Sequence, residues 1–280
     1  MLIAFQGEPG AYSEAAALTY APTATPLPCP SFEDVFAAVA DERATHGILP
    51  MENSIGGSIH RNYDLLLEHD LPIVGEVQLV ITHNLMALPG TRIDELTRIY
   101  SHPQALAQCE RFLRALPHVA VEASYDTAGS AKLVKEKHLV GAGAIASERA
   151  AQVFGLEILQ SEIQDFSDNI TRFLVVSRVA DPDPLVDKTT VVFSLPNEPG
   201  ALFKALSVFA LRDIDLTKIE SRPIRGRPWE YLFYVDLPLG RHDVRCARAL
   251  VHLAEFARSM RTLGSYKSWK SREAAAASQV

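Results

Sequence analysis

Short apolar runs alternate with amphipathic segments along the first 180 residues of the chain. Leu2 to Phe5, Ile48-Leu49 and Val140 to Ala142 have the apolar character of buried strands, and polar or glycine-containing turns follow them. Between such runs, the segment Val35 to Val39 carries apolar residues at helical spacing, after Ser31, which is expected to cap that helix. This alternation predicts a largely parallel sheet with helices on both faces.

The pattern changes at Asp181-Pro182-Asp183-Pro184, because two prolines break regular structure and the acidic residues keep the segment in solvent. We place a domain boundary there, between residues 1–180 and residues 187–269. The second region has the predicted order βαββαβ of a ferredoxin-like module. Its strands are expected at 189–195, 216–220, 229–235 and 261–266, and its helices at 201–211 and 243–257. The alanine-rich tail 270–280 is expected to be disordered.

Composition agrees with a soluble protein of about two domains, since 48% of the 280 residues are hydrophobic and 22% are charged. The formal net charge of -7 argues against broad nucleic-acid binding, and no apolar run is long enough to span a membrane. The N-terminus lacks the pattern of a secretion signal, so a cytoplasmic location is expected. Cys29, Cys109 and Cys246 fit no metal or disulfide spacing and are expected to be reduced packing residues.

The segment Asp168 to Phe173 is the first candidate for a ligand site. It places an amide (Asn169), a hydroxyl (Thr171) and a guanidinium (Arg172) at the start of an apolar strand. Buried polar groups need partners, and a small anionic ligand is one candidate. An ordinary ion pair of Arg172 and a simple strand role for Thr171 explain the same residues equally well.

A second candidate site is the loop that follows Ile48-Leu49. Glu52, Asn53, Ser54 and Ser58 surround a pair of glycines at a strand end, where ligands of open α/β sheets usually bind. Helix capping by Ser58 with turn glycines is the structural alternative, and the residues alone favour it slightly.

Several of these stretches together resemble the motifs of one family, the bacterial prephenate dehydratases with a C-terminal ACT regulatory domain. The resemblance covers nearly the whole chain, and Asn169 to Phe173 matches the most specific motif of the set, Thr-Arg-Phe. The other matching segments are Gly7 to Glu14, Glu52-Asn53-Ser54 with Gly57-Ser58, Asp126 to Ala131, Gly200-Ala201-Leu202 and Glu220-Ser221-Arg222-Pro223.

The resemblance implies an α/β catalytic domain of two lobes, similar to periplasmic binding proteins, with the active site in the cleft between the lobes. The second lobe would span about 76–165. It further implies a ferredoxin-like ACT domain at 187–269, a homodimer or homotetramer, and no metal or organic cofactor.

The reaction implied is the conversion of prephenate to phenylpyruvate, water and carbon dioxide in phenylalanine biosynthesis. Thr171 is expected to give a hydrogen bond to the departing hydroxyl, and Arg172 to orient a carboxylate. Phe173 would form an apolar wall. The remaining expected substrate contacts are Glu52, Asn53, Ser54, Thr127, Ser130 and Asn169.

In the C-terminal domain, the resemblance implies a binding site for the effector L-phenylalanine. Its expected residues are Gly200, Ala201, Leu202, Glu220, Ser221, Arg222 and Pro223. A purely structural or dimerising module is the alternative. For the whole chain, an arogenate dehydratase and a non-catalytic, amino-acid-sensing binding protein remain open as alternatives.

Overall fold

The computed structural model describes residues 1–277. The chain forms two compact units: Met1–Tyr63 with Val77–Phe173, and Asp64–Glu76 with the chain from Leu174 onward. The change of unit therefore falls between Phe173 and Leu174, before the 181–184 segment at which the sequence placed the boundary. Within residues 1–277, no helix combines the length and the apolar character needed to cross a bilayer.

The elements are numbered in chain order. The strands are β1 (Leu2–Gln6), β2 (Thr25–Cys29), β3 (His46–Asn53), β4 (Gly57–Ser58), β5 (Ile73–Val80), β6 (Asn84–Ala87), β7 (Arg98–Ser101), β8 (Ala120–Ala123), β9 (Ala142–Ala146), β10 (Glu157–Gln160), β11 (Ile170–Ser177), β12 (Lys188–Ser194), β13 (Lys218–Pro223), β14 (Tyr231–Leu237) and β15 (Ser259–Tyr266). The helices are α1 (Tyr12–Tyr20), α2 (Phe32–Ala40), α3 (His60–Glu68), α4 (Pro103–Gln108), α5 (Glu110–Arg114), α6 (Thr127–Glu136), α7 (Glu148–Phe154), α8 (Ala201–Ala210), α9 (Val244–Phe256) and α10 (Trp269–Ala277).

The first sheet has the strand order β2-β1-β3-β11-β5, and β4 pairs with β3. β1 runs parallel to both β2 and β3, as the strand and helix alternation predicts. Ile3, Phe5, Ile48 and Leu49 are fully or almost fully buried in it. Ser31 caps α2 through a complete capping box with Asp34, which confirms the predicted cap.

The second sheet has the order β10-β6-β9-β7-β8. β7 is parallel to β8 and β9, but β6 is antiparallel to both of its neighbours. The prediction of a largely parallel arrangement is therefore wrong for this sheet, which is mixed. The chain crosses into it directly after β5 and returns before β11, so all its strands lie between Asn84 and Gln160. Strand patterns do not show such a crossing.

The third sheet is antiparallel and has the order β13-β14-β12-β15, with α8 and α9 in contact with each other. This is the predicted ferredoxin-like βαββαβ arrangement. Its core includes Val191, Phe193, Phe209, Val235 and Leu253, all fully or almost fully buried.

The end of the chain differs from the expected disordered tail. Trp269–Ala277 forms α10, and its first backbone N–H donates to Glu76 Oε1 over 2.9 Å. The hydroxyl of Ser268 donates to Asp187 Oδ2 over 2.9 Å. An anchored start and a run of alanines, the residues that favour helix most, account for the helix. Residues 278–280 of the predicted tail lie outside the described residues.

Candidate active site

A cleft of about 600 Å³ lies in the first compact unit. Residues from the N-terminal ends of four helices, α1, α2, α4 and α6, line it, together with the turn between β3 and β4 and two side chains of β11. Helix N-termini carry partial positive charge and backbone N–H groups. Their convergence suits the cleft to an anionic ligand.

Alternation along β11 decides which residues of the Thr-Arg-Phe segment reach this cleft. Thr171 and Phe173 both line it, since residues two apart face the same side of a strand. Arg172 does not line it; the side chain is buried, with Nη1 3.6 Å from Glu52 Oε1. The geometry agrees with the ion-pair alternative for Arg172 and places neither charged residue against the cleft.

The orientation of the Asn53 amide follows from backbone contacts. Its Oδ1 accepts hydrogen bonds from the backbone N–H groups of Ile55 (3.1 Å) and Gly56 (2.7 Å), so Nδ2 must point the other way. Nδ2 then donates to Asn169 Oδ1 over 2.6 Å and to Thr171 Oγ1 over 3.0 Å. Both amide protons are used.

The same logic continues through the buried chain of polar groups behind the cleft. Because Asn169 Oδ1 accepts from Asn53, Asn169 Nδ2 donates to Gln108 Oε1 over 3.0 Å. That oxygen also lies 2.8 Å from His83 Nε2, which must carry the proton. His83 Nδ1 lies 2.8 Å from the Tyr12 hydroxyl, which also lies 2.7 Å from Thr82 O and has one proton for these two contacts.

This series of hydrogen bonds leaves the Thr171 hydroxyl as a donor. Its oxygen accepts the Asn53 amide proton, so its own proton is available to an acceptor in the cleft. The Thr171 side chain is held between a fixed amide and the open cleft. Such a hydroxyl is a positioned hydrogen-bond donor rather than a mobile surface group.

The other predicted contacts divide into two groups. Thr127 lines the cleft at the start of α6. Ser54 Oγ donates to Asp168 O over 2.7 Å and accepts from Ile170 N over 2.9 Å, so it fastens the loop to β11. Ser130 is buried within α6, where its hydroxyl donates to Asp126 O over 2.8 Å.

Sequence reasoning missed three members of this polar chain, namely Tyr12, His83 and Gln108, all of which line the cleft. Tyr12 lies inside the quoted first motif, whereas His83 and Gln108 belong to no motif. Burial raises the pKa of Tyr12 well above its ordinary value and lowers that of His83, so both side chains stay neutral.

Acidification is expected to destabilise the fold through His83. Its folded pKa lies below the ordinary value of 6.5, so its contribution to stability is complete above that pH. The contribution is lost as the pH falls toward the folded pKa, because the unfolded chain then binds more protons. We expect a His83→Gln variant to show a shallower fall of the free energy of unfolding below about pH 6.5, measured by urea titration. Equal slopes in both proteins would contradict this assignment.

No group of three or more histidine, cysteine, aspartate or glutamate side chains within residues 1–277 is arranged to hold a metal ion. Cys29, Cys109 and Cys246 are buried free thiols, as predicted.

The residues predicted to bind phenylalanine lie in the second compact unit. Gly200 precedes α8 with a φ of +81°, a conformation that strains any residue with a Cβ. Ala201 and Leu202 line a small pocket of about 130 Å³ together with the exposed Trp229. Glu220 to Pro223 do not line it. This pocket therefore includes residues of the first predicted motif and none of the second.

Arg222, one of the predicted phenylalanine contacts, is engaged within the same unit. Its guanidinium donates to both carboxylate oxygens of Asp64, with Nη2 at 3.2 Å from Oδ1 and 3.1 Å from Oδ2. Glu220 lies 3.6 Å from Lys218. These contacts order β13, which is an edge strand.

Comparison with known proteins gives two family matches. Residues 3–181 match the family described as prephenate dehydratase, and residues 189–242 match the ACT domain. The chain is 50% identical over 279 residues to arogenate dehydratase/prephenate dehydratase 2 of Arabidopsis thaliana, which covers 94% of this chain and 72% of the relative.

Two solved structures are similar over nearly their whole length. Prephenate dehydratase of Arthrobacter aurescens in complex with L-Phe shares 33% identity, with a TM-score of 0.87 over 100% of this chain and 97% of that one. A protein described as GqqA, a novel type of quorum quenching acylase, shares 37% identity, with a TM-score of 0.89 over 96% of this chain and 98% of that one.

The comparison also corrects one expectation. Three of the Arabidopsis thaliana relatives, between 47% and 50% identical to this chain, are named as chloroplastic. This finding contradicts the cytoplasmic location expected from the sequence, which rested only on the lack of a recognised targeting pattern.

Proposed function

The chain belongs to the prephenate dehydratase family, and we propose that it removes water and carbon dioxide from prephenate or from its amino-acid counterpart, arogenate, to supply phenylalanine biosynthesis. The observation that carries the proposal is the Thr171 hydroxyl, which lines the cleft and is oriented as a donor by Asn53. The names of the Arabidopsis relative and of the Arthrobacter structure support both substrates.

The chemistry needs few groups from the protein. The bond from the ring to its carboxylate breaks, the electron pair enters the ring, and the hydroxyl on the opposite ring carbon leaves with a proton as water. Aromatisation of the ring drives these steps. What the protein must supply is a donor at the departing oxygen, since negative charge develops there in the transition state.

We assign the donor role to Thr171. A threonine hydroxyl is far too weak an acid to be a free proton source, so it would stabilise the departing oxygen and pass on a proton from water. Asn53 keeps the hydroxyl oriented, and Asn169, Gln108 and His83 keep Asn53 in place. In this proposal the buried chain positions the donor and does not react.

The substrate carboxylates would be held without a cationic side chain. Within the described part of the chain, no lysine or arginine lines the cleft. The N-terminal ends of α1, α2, α4 and α6 offer backbone N–H groups instead. Dipoles of this kind bind a carboxylate without the strong charge attraction that would oppose loss of the ring carboxylate.

A hydrolytic reaction like that of the quorum quenching acylase has less support from the site. Hydrolysis needs an activated nucleophile, and the Thr171 oxygen accepts a hydrogen bond from the Asn53 amide, which cannot act as a base. A non-catalytic binding role also gives no reason for a hydroxyl fixed as a donor at the cleft.

The test is direct turnover. The purified chain is incubated with prephenate and, separately, with arogenate, and phenylpyruvate and phenylalanine are quantified. Turnover of either substrate supports the proposal. Turnover of neither, by protein shown to be folded, would contradict it.

We further propose that the ACT domain binds L-phenylalanine and inhibits the enzyme at an interface between two copies of the chain. The pocket beside Gly200 includes residues of only the first predicted motif, and an interface site would let a second copy supply the other. The description of the Arthrobacter structure as a complex with L-Phe supports the ligand.

A Gly200→Val variant is expected to lose most of its affinity for phenylalanine in calorimetry. At a φ of +81° a β-branched residue is strongly strained, and α8 would begin differently. Gly90→Val is the matched control, because Gly90 has a φ of +84° and equally open space for a Cβ but lies outside the ACT domain. Equal affinity in both variants would remove Gly200 from the effector site.

A further inference from the structure

The cleft has an unusual balance of charged side chains for a protein that acts on dicarboxylates. Two carboxylates, Glu33 and Asp126, line it, and the described lining includes no lysine or arginine. Prephenate carries two negative charges and no positive one. Arogenate carries the same two carboxylates and an additional α-ammonium group, which needs an anionic or strongly polar partner.

Most carboxylates around the cleft already have a basic partner. Glu33 Oε1 lies 2.7 Å from Arg61 Nε, and Glu8 Oε2 lies 3.0 Å from Lys132 Nζ. Among residues 1–277, Asp126 has no lysine or arginine within ion-pairing distance. It is therefore the cleft carboxylate without a lysine or arginine partner, and His102 is the basic side chain that acts on it.

Asp126 also lies at a point of the cleft that residues of both lobes approach. Its Oδ1 accepts from the backbone N–H of Gly129 over 3.0 Å, which fixes the carboxylate at the start of α6. Its Oδ2 lies close to Gly7, because a Cβ added to Gly7 would be only 3.0 Å from this oxygen. Gly7 has a φ of +117° and follows β1 of the first sheet, whereas α6 packs on the second.

The surroundings favour a bound cation at this carboxylate. Burial raises the pKa of Asp126, and the neighbouring Glu8 acts in the same direction, so a cation bound beside this carboxylate would favour its charged form. Three groups lower the pKa of Asp126 instead, namely the backbone N–H groups of Gly129 and Ala128 and the side chain of His102. Tyr125, which hydrogen bonds to Glu8, is another titratable group nearby.

We propose that Asp126 pairs with the α-ammonium group of an amino-acid substrate and makes the cleft selective for arogenate over prephenate. This inference rests on the dehydratase function proposed above and names the substrate within it. Asp126 supplies a charged acceptor to the ammonium group, whereas the keto oxygen of prephenate would face a carboxylate that repels it.

Asp126 also caps α6, so the test must separate the charge from the cap. Asn and Ser both cap helices well and carry no charge. For Asp126→Asn and Asp126→Ser, we expect kcat/KM for arogenate to fall about 10-fold or more, mainly through KM, since a hydrogen bond to a charged group is lost. For prephenate, kcat/KM should stay within about 3-fold of wild type or rise, because a repulsive charge is removed.

Glu33→Gln is the matched control, since it removes a cleft carboxylate whose charge Arg61 already compensates. It should leave the ratio of the two kcat/KM values unchanged. A wild-type enzyme that prefers prephenate, or Asp126 variants that lose both substrates equally, would overturn the inference while leaving the dehydratase function in place. Wild-type protein inactive on both substrates would contradict the proposed function itself.

Discussion

Replacing Thr171 by alanine or valine is expected to lower turnover on the order of 100-fold or more, the usual cost of losing a positioned transition-state donor. This corresponds to about 2.7 kcal/mol of transition-state stabilisation. The loss should appear in kcat more than in KM, because the hydrogen bond strengthens as charge develops on the departing oxygen.

The three variants Thr171→Val, Thr171→Ala and Thr171→Ser separate the hydroxyl from the methyl group. Valine keeps the branched shape that suits a strand and removes only the donor, whereas serine keeps the donor. We expect serine to retain turnover within about 10-fold of the wild type. Steady-state kinetics with the better substrate, together with melting temperatures, measure this. Near-normal turnover of the valine variant would remove Thr171 from the donor role.

The sequence predicted several elements of both units well, because each depends on local patterns. The βαββαβ order of the ACT region and the strand beginning near Asn169 follow from apolar alternation and turn residues. His102 accepts from Gln104 N and caps α4 before the proline that begins the helix.

The strand pattern also bears on the predicted role of Arg172. Period two along a strand places Thr171 and Phe173 on one side and Arg172 on the other. A site built on Thr171 therefore could not also use Arg172 from the same face. The resemblance to a Thr-Arg-Phe motif concealed this, because a motif records which residues occur together and not where their side chains point.

The buried chain from Asn53 to Tyr12 could not be predicted, because it depends on tertiary distances. Gln108 and Asn169 are hydrogen-bonded across both lobes, and no periodicity relates their positions. Gln108 appears in the sequence as one polar residue at the end of an amphipathic segment. Such residues are recognised only when the crossing of the chain between the two sheets is known.

A second large effect is expected in the ACT-containing unit, where Lys188 is buried between two carboxylates. Its Nζ lies 2.8 Å from Glu76 Oε2 and 3.8 Å from Asp236 Oδ2. All three residues are less than one-tenth exposed. Replacing Lys188 by methionine should destabilise this unit by about 3 to 5 kcal/mol, because two buried carboxylates lose their cation. Urea unfolding measures the loss.

We attribute this expected loss of stability to the burial of the ion pair and not to its short distance. A more exposed lysine pair in the same chain serves as the control. Lys267 Nζ lies 2.7 Å from Asp183 Oδ2, almost the same separation, but both side chains are about one-third exposed. Water solvates that pair, so Lys267→Met should cost about 1 kcal/mol or less. In Lys188→Met, adding Glu76→Gln should recover part of the stability, since one uncompensated charge disappears and the amide can still accept from Trp269 N. Equal losses for the two lysine variants would contradict the argument, because distance alone would then determine the cost.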